Sequence, residues 1–172
     1  AKLCIAQFTG RKPYWLYAAR IGSELLLRLG RHEEARLLFE AILKARAIPW
    51  AKLGVARAQI EAGHPTRAVA TLMGLIGEDP GYADAYDVLG RAQVEMGHFA
   101  EAIETYRTAS ELTPDSVVRL QKLGMMCYYM GERATAVQVL SRAVVLGIDS
   151  KLFDYQSLVL LAFAHFDEKD GK

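Results

Sequence analysis

The sequence predicts an all-α fold, an α–α superhelix built from antiparallel helix pairs, on the basis of two periodic signals. Alanine recurs at intervals of 34, 33, 34 and 34 residues, at Ala1, Ala35, Ala68, Ala102 and Ala136. Glycine recurs with the same period, at Gly30, Gly63, Gly97 and Gly131. Self-similarity at one fixed period is typical of repeat proteins, in which each unit buries its apolar face only against its neighbours.

The stretch from Ala83 to Pro114 shows how one unit is built. Its first half, ADAYDVLGRAQVEMG, carries apolar or small residues at steps of three and four, which predicts a helix that ends at Gly97. Its second half, FAEAIETYRTASEL, begins at Phe99 and repeats that spacing. The residue before Pro114 is disfavoured in a helix, so the second helix ends there. The unit is therefore predicted to be two antiparallel helices.

The same spacing divides the whole chain, which we interpret as a single domain. It predicts full helix pairs over 16–48, 49–82, 83–116 and 117–150, after the second helix of a truncated repeat over 1–15. A terminal helix or cap over 151–172 follows, with its helix from about Phe153 to Asp167. Gly171 comes 40 residues after Gly131, which predicts a longer connection around 147–151. A start in the middle of a repeat predicts a fragment of a longer protein.

Composition is that of a globular repeat chain. The 172 residues are 52% hydrophobic and carry a net charge of +1, and no apolar run approaches the roughly 18 residues of a membrane span. Cys4 and Cys127 fall on apolar stripes far apart in the stack, as buried thiols of a reducing compartment do, so we expect a cytoplasmic location. Residues 1–50 hold nine Lys or Arg against four acids. This basic half keeps nucleic-acid binding open as a minor alternative.

No pattern in the sequence indicates catalysis, a cofactor or a metal site. His32, His64 and His98 each follow a turn glycine, about one repeat apart, and not at the close spacing of metal ligands. The glycines are scattered as helix stops and do not form a phosphate-binding loop. We therefore predict a protein that is not an enzyme.

The unit 83–116 resembles the tetratricopeptide repeat family, whose pattern combines aromatic, leucine-glycine, alanine and proline positions. The matching residues are Tyr86, Leu89, Gly90, Ala102, Tyr106, Ala109 and Pro114. The following unit departs from the pattern, with Leu140 in an aromatic's place and Ile148 in the proline's, and the preceding unit has Ala56 in the glycine's place. Each departure keeps an apolar residue of usable volume, so the fold prediction is unchanged.

The resemblance implies that the first helix of each unit lines a concave groove that binds a peptide or helix of a partner protein. One face of these helices would project Tyr17, Arg20, Glu24, Trp50, Leu53, Arg57, Asp84, Asp87, Arg91, Gln121, Met125 and Tyr128. Aromatic and Arg side chains are enriched at binding hot spots. Trp50 and Tyr128 are equally well explained by packing between repeats. The Lys and Asn residues with which chaperone-type arrays hold a terminal carboxylate are missing from the matching places, which disfavours a cochaperone.

Three stretches of the sequence more narrowly resemble the repeat region of bacterial response regulators that carry a CheY-like receiver. These stretches are GSELLLRLGRHEEARLLFEAIL, PWAKLGVARAQIEAG and SRAVVLGIDSKLFDYQSLVLLAFAH. The resemblance implies an output module of two-component signalling.

Two other functional classes remain open from the sequence. A self-associating structural module, in which exposed end helices stack on another copy, is the alternative to the peptide-binding scaffold. Nucleic-acid binding is the minor one. Light scattering and the salt dependence of binding separate these classes.

Overall fold

The structure, a computed structural model, describes residues 14–150 and 155–170, with side chains at 14–148 and 155–166. The described backbone is helical and contains no strand. Its helices are α1 (Trp15–Arg28), α2 (His32–Ala45), α3 (Pro49–Glu61), α4 (Pro65–Glu78), α5 (Ala83–Glu95), α6 (Phe99–Leu112), α7 (Val117–Tyr129), α8 (Arg133–Ser150) and α9 (Tyr155–Asp170). The all-α prediction is confirmed. The truncated repeat predicted over 1–15 falls almost entirely outside the described residues.

The four periodic glycines end the first helix of each pair, as predicted. Gly30, Gly63, Gly97 and Gly131 have φ between +70° and +81°, the left-handed region that favours a residue without a Cβ. At the first turn the Arg31 N–H donates to the Leu26 carbonyl and the Gly30 N–H to the Leu27 carbonyl. The same pair of bonds follows α3 and α7. These bonds satisfy carbonyls that a helix end would otherwise leave unpaired, so the turn is a Schellman motif.

The described part of the chain forms two compact units, which divide between residues 96 and 97. In the first unit, α1 to α5 pack in order, and each odd-numbered helix also contacts the next odd-numbered one. Two apolar clusters form its core, one from α1 to α3 around Phe39 and one from α3 to α5 around Leu72. The periodic alanines Ala35 and Ala68 are fully buried between the helices. Their small side chains allow the close approach that the repeat requires.

In the second unit, α7 packs on α6 and α8, and α9 packs on α8 and α7. The periodic residues Ala102 and Ala136 are fully buried. Leu140, which stands where the family pattern has an aromatic, is fully buried as well and lies against Gly124. A Cβ on Gly124 would come within 2.6 Å of the Leu140 Cγ, so this helix crossing needs a glycine.

The prediction of a longer connection around 147–151 is wrong for residues 147–150, because these residues continue α8. This helix has 18 residues, whereas α4 and α6 have 14. Pro80 and Pro114 follow the ends of those shorter helices, and Ile148 occupies the corresponding place in α8. Because isoleucine keeps its backbone N–H and does not restrict the residue before it, the helix continues. The terminal helix begins at Tyr155 and runs to Asp170, close to its predicted bounds.

Candidate functional site

The first helices of neighbouring pairs in the first unit are joined by an ion pair between two of the predicted groove residues. The Nη1 atom of Arg57 on α3 donates to both carboxylate oxygens of Glu24 on α1, at 2.9 and 3.0 Å. Both side chains are 38% exposed. The sequence places these residues on one helical face, and the structure brings their charged groups together. Arg57 is therefore held in one orientation at the surface of α1 and α3.

The same arrangement recurs one repeat later. Nη1 of Arg91 on α5 lies 2.9 Å from a carboxylate oxygen of Glu61 on α3, with side chains 39% and 43% exposed. Glu61 was not among the predicted site residues. In the sequence each acid lies on one first helix and its arginine on the next, about one period later, but this spacing alone does not show that their charged groups meet. We call Glu24, Arg57, Glu61 and Arg91 the charged ladder.

Trp50 combines the two roles that the sequence left open. Its ring lies edge-on to the buried ring of Phe39, with centroids 6.4 Å apart and planes at 72°, and it packs partly buried against the first apolar cluster. The guanidinium carbon of Arg20 lies 5.2 Å from the Trp50 centroid, which is a cation–π distance. Trp50 thus anchors α3 on the core, and its ring also contacts Arg20 on α1.

The remaining predicted residues of the first unit differ in exposure. Tyr17 is 69% exposed on α1, whereas Leu53 is half-buried and packs against the second apolar cluster. Asp84 is exposed and Asp87 half-buried on α5. Leu53 therefore contributes more to the core than to a binding surface, and the other three side chains are accessible.

A recess of about 220 Å³ lies between α1 and α3, next to the charged ladder. It is lined by Leu27, Arg28, Arg57 and Glu61. Leu27 is buried and supplies an apolar floor, and charged groups form the walls. Such a surface can receive a polar side chain or a backbone group of a bound peptide. Sequence reasoning missed Arg28 because it lies beside the stripe predicted for α1.

In the second unit, the predicted residues of α7 line a recess with α9. Gln121 and Met125, with Val118, face Gln156 and Leu160 across a space of about 170 Å³. Tyr128 is half-buried one turn further along α7, and its ring centroid lies 5.7 Å from that of Tyr129. Lys122 and Ser157 complete the lining of this recess, which therefore combines apolar and polar side chains.

The described residues hold no cluster of three or more His, Cys, Asp or Glu side chains placed to bind a metal ion. Cys127 is fully buried, and burial raises the pKa of its thiol to about 11. A thiol with a raised pKa stays protonated near neutral pH and is a poor nucleophile. Within the described part of the chain, none of the helices is both long and apolar enough to cross a membrane.

Comparison with protein families supports the tetratricopeptide repeat. Residues 60–124 match the family model described as tetratricopeptide repeat. This segment contains the unit 83–116, on which the resemblance in the sequence was strongest. Among curated proteins, none matches the sequence significantly.

Solved structures of tetratricopeptide repeat (TPR) proteins are similar to this chain. TTC0263, a thermophilic TPR protein of Thermus thermophilus, superposes with a TM-score of 0.71 at 24% identity, over 89% of this chain and 82% of that one. MamA of Desulfovibrio magneticus RS-1, from residue 41 to its end, gives 0.72 at 17%, over 90% and 86%. YrrB, a TPR protein with an unusual peptide-binding site, gives 0.59 at 17%, over 80% and 75%. These likenesses show the fold class, the all-α superhelix.

Proposed function

We propose that this chain is a protein-interaction scaffold that binds a peptide or helix of a partner protein along the first helices of its repeats. The charged ladder is the observation that carries the proposal, because it fixes two arginines on the surface of α1, α3 and α5. Long side chains that are already ordered lose less entropy when they bind. Tyr17 and Trp50 add aromatic surface beside them, and such residues dominate binding energy at many interfaces. The scaffold role carries no catalytic step.

The fold supports this class of function. Peptide recognition commonly uses a preformed groove in which a few anchors give affinity and the neighbouring contacts give specificity. YrrB, which shares the fold, has a peptide-binding site. For this chain the proposed anchors lie in the first unit. The recess between α7 and α9 in the second unit is proposed as a separate site for an apolar side chain.

The proposal is tested with peptides selected against the intact protein from a random display library. We expect the double variant Arg57→Ala and Arg91→Ala to bind the selected peptides about thirtyfold more weakly, since truncating a hot-spot residue costs about 2 kcal/mol or more. Its helical circular dichroism should be nearly unchanged, because partly exposed ion pairs contribute only about 0–1 kcal/mol each. Isothermal titration calorimetry measures the affinities.

Arg107→Ala provides the matched control. Arg107 lies on α6, a second helix of a pair, is ion-paired with Glu104 at 3.1 Å, and is 39% exposed, as Arg91 is. We expect this variant to bind the peptides as tightly as the parent chain. If the double variant binds normally and Arg107→Ala binds weakly, the groove proposal is wrong and the second helices form the binding surface.

We also propose that the chain serves as the output module of a bacterial response regulator in the cytoplasm. This assignment rests on the resemblance of the three stretches to receiver-linked repeat regions, and a buried free thiol such as Cys127 fits a reducing compartment. The test is phosphorylation of the intact parent protein with acetyl phosphate. Phosphate incorporation together with a changed affinity for the selected peptides supports the assignment. A parent protein that takes up no phosphate overturns it.

A further inference from the structure

Helix α9 carries an apolar face that nothing in the described structure covers. Its inward side is anchored by Ser157 and Ala164, which are buried one above the other, seven residues apart. On the opposite side, Tyr155, Phe163 and Phe166 are 69%, 53% and 64% exposed. Val159 and Ala162 lie between them, and together with the two phenylalanines they line a shallow apolar recess of about 400 Å³. We call these five residues the α9 face.

We infer that the α9 face pairs with the α9 face of a second copy of this chain, in an antiparallel two-helix contact. Tyr155, Val159, Ala162 and Phe166 are spaced by four, three and four residues, which is the spacing of a coiled-coil seam. No Asp, Glu, Lys or Arg occurs between Tyr155 and Phe166. A partner chosen by charge would find no complement there, whereas an identical apolar seam is complementary to this one.

The seam also matches itself in side-chain size. When two copies run antiparallel about a two-fold axis, Tyr155 lies opposite Phe166, and Val159 lies opposite Ala162, on both sides of the axis. The small Ala162 leaves the space that the branched Val159 fills, so the two backbones can approach closely at the centre. Leu158 and Phe163 flank the seam on its two opposite sides. A two-fold axis uses the same patch on both copies and gives a closed dimer.

The area of the α9 face predicts a weak dimer. With about 200 Å² for each aromatic side chain, the exposed fractions of the three rings and of their aliphatic neighbours amount to roughly 500 Å² per copy. Stable specific interfaces bury about 800 Å² per partner, and weak, transient ones fall below about 600 Å². We therefore expect a dimer with a dissociation constant on the order of 100 µM. This inference uses a different surface from the proposed peptide groove and does not depend on it.

Sedimentation velocity of the intact chain, from about 10 µM to about 1 mM, tests the dimer. We expect a concentration-dependent monomer–dimer equilibrium, and at least tenfold weaker association for Phe163→Glu and for Phe166→Glu. Both side chains are more than half exposed in the monomer, so their replacement should leave the helical circular dichroism unchanged. Met73→Glu is the matched control, because Met73 on α4 is 57% exposed and apolar but lies outside the α9 face. It should associate like the parent chain.

Two further results would overturn the inference. One is a chain that stays monomeric throughout this concentration range. A monomeric chain that binds phosphatidylcholine vesicles through the α9 face would overturn the inference in the same way. The other is association that survives Phe163→Glu and is lost in Tyr17→Glu, because the contact would then involve α1. The register is tested in a Cys4→Ser background. Val159→Cys with Ala162→Cys should form a disulfide-linked dimer on oxidation, and Val159→Cys alone should not; efficient linking by the single variant would contradict the antiparallel arrangement.

Discussion

Replacing Gly54 by alanine should destabilise the first unit, although alanine is the better helix former. Gly54 is buried on α3, and a Cβ built there would lie within 2.6 Å of three ring atoms of Phe39, Cε1, Cζ and Cδ1. All three distances are far below van der Waals contact. The Phe39 ring is fully buried and packed against Trp50, so it has no free space into which to move. Overpacking of this kind costs about 1–3 kcal/mol.

Gly74→Ala is the matched control for this prediction. Gly74 lies in the interior of α4, in the same unit, and a Cβ there meets no atom within 4 Å. The same substitution should therefore stabilise the unit by about 0.5–1 kcal/mol, because glycine costs that much more than alanine in a helix interior. Urea denaturation followed by circular dichroism measures the free energy of unfolding of each variant. The pair separates helix propensity, which is common to both sites, from crowding, which occurs only at Gly54.

The crowding explanation also predicts a rescue. In Gly54→Ala with Phe39→Leu, the ring atoms that the new Cβ would meet are gone, so the double variant should lose about 1 kcal/mol less than the sum of the two single losses. If Gly54→Ala is as stable as the parent chain, or as stabilised as Gly74→Ala, the close contact with Phe39 does not exist in solution.

Two further predictions concern buried residues of the second unit. Ala102 is fully buried, so Ala102→Phe should destabilise by roughly 1–3 kcal/mol, whereas the exposed control Glu104→Gln should stay within about 0.5 kcal/mol in thermal denaturation; equal melting temperatures would contradict close packing at Ala102. In a Cys4→Ser chain, Cys127 should react with iodoacetamide far more slowly than an unfolded thiol near pH 8, because burial raises its pKa to about 11. Since the folded pKa lies above that of the unfolded thiol, the stability that Cys127 contributes is complete below about pH 8.5 and is lost as the pH rises towards 11; an unfolding free energy that stays constant over this range would contradict it.

Local signals in the sequence predicted most of the fold. The period placed the helix pairs, and the glycines marked turns because positive φ is a property of single residues. The end of α8 was not predicted correctly because no proline stands where the corresponding helices of the other pairs end. Without a residue that stops a helix, the sequence does not indicate where α8 ends. Gly54 was overlooked because the family pattern draws attention to Ala56, whereas the need for glycine at 54 comes from Phe39 on the preceding helix.

The candidate site could be predicted only as far as the helical face. The stripe predicted for α3 places Trp50 and Arg57 on one side of the helix. It could not show that Arg57 meets Glu24, because the pairing depends on the distance and crossing angle between α1 and α3. The exposed face of α9 posed the opposite difficulty. The sequence of a helix that is apolar on all sides does not show whether the side facing away from the core is covered or exposed. Only the packing in the structure distinguishes these two cases.

Photo-crosslinking of a selected peptide to the intact chain tests the central proposal most directly. A photoreactive group at the centre of the peptide, followed by mass spectrometry of the adducts, locates the bound segment without any substitution in the protein. Binding along the first helices predicts adducts on α1, α3 and α5, close to Tyr17, Trp50 and Arg91. Adducts concentrated on α2, α4 and α6 would contradict the proposed function, because they would place the partner on the second helices.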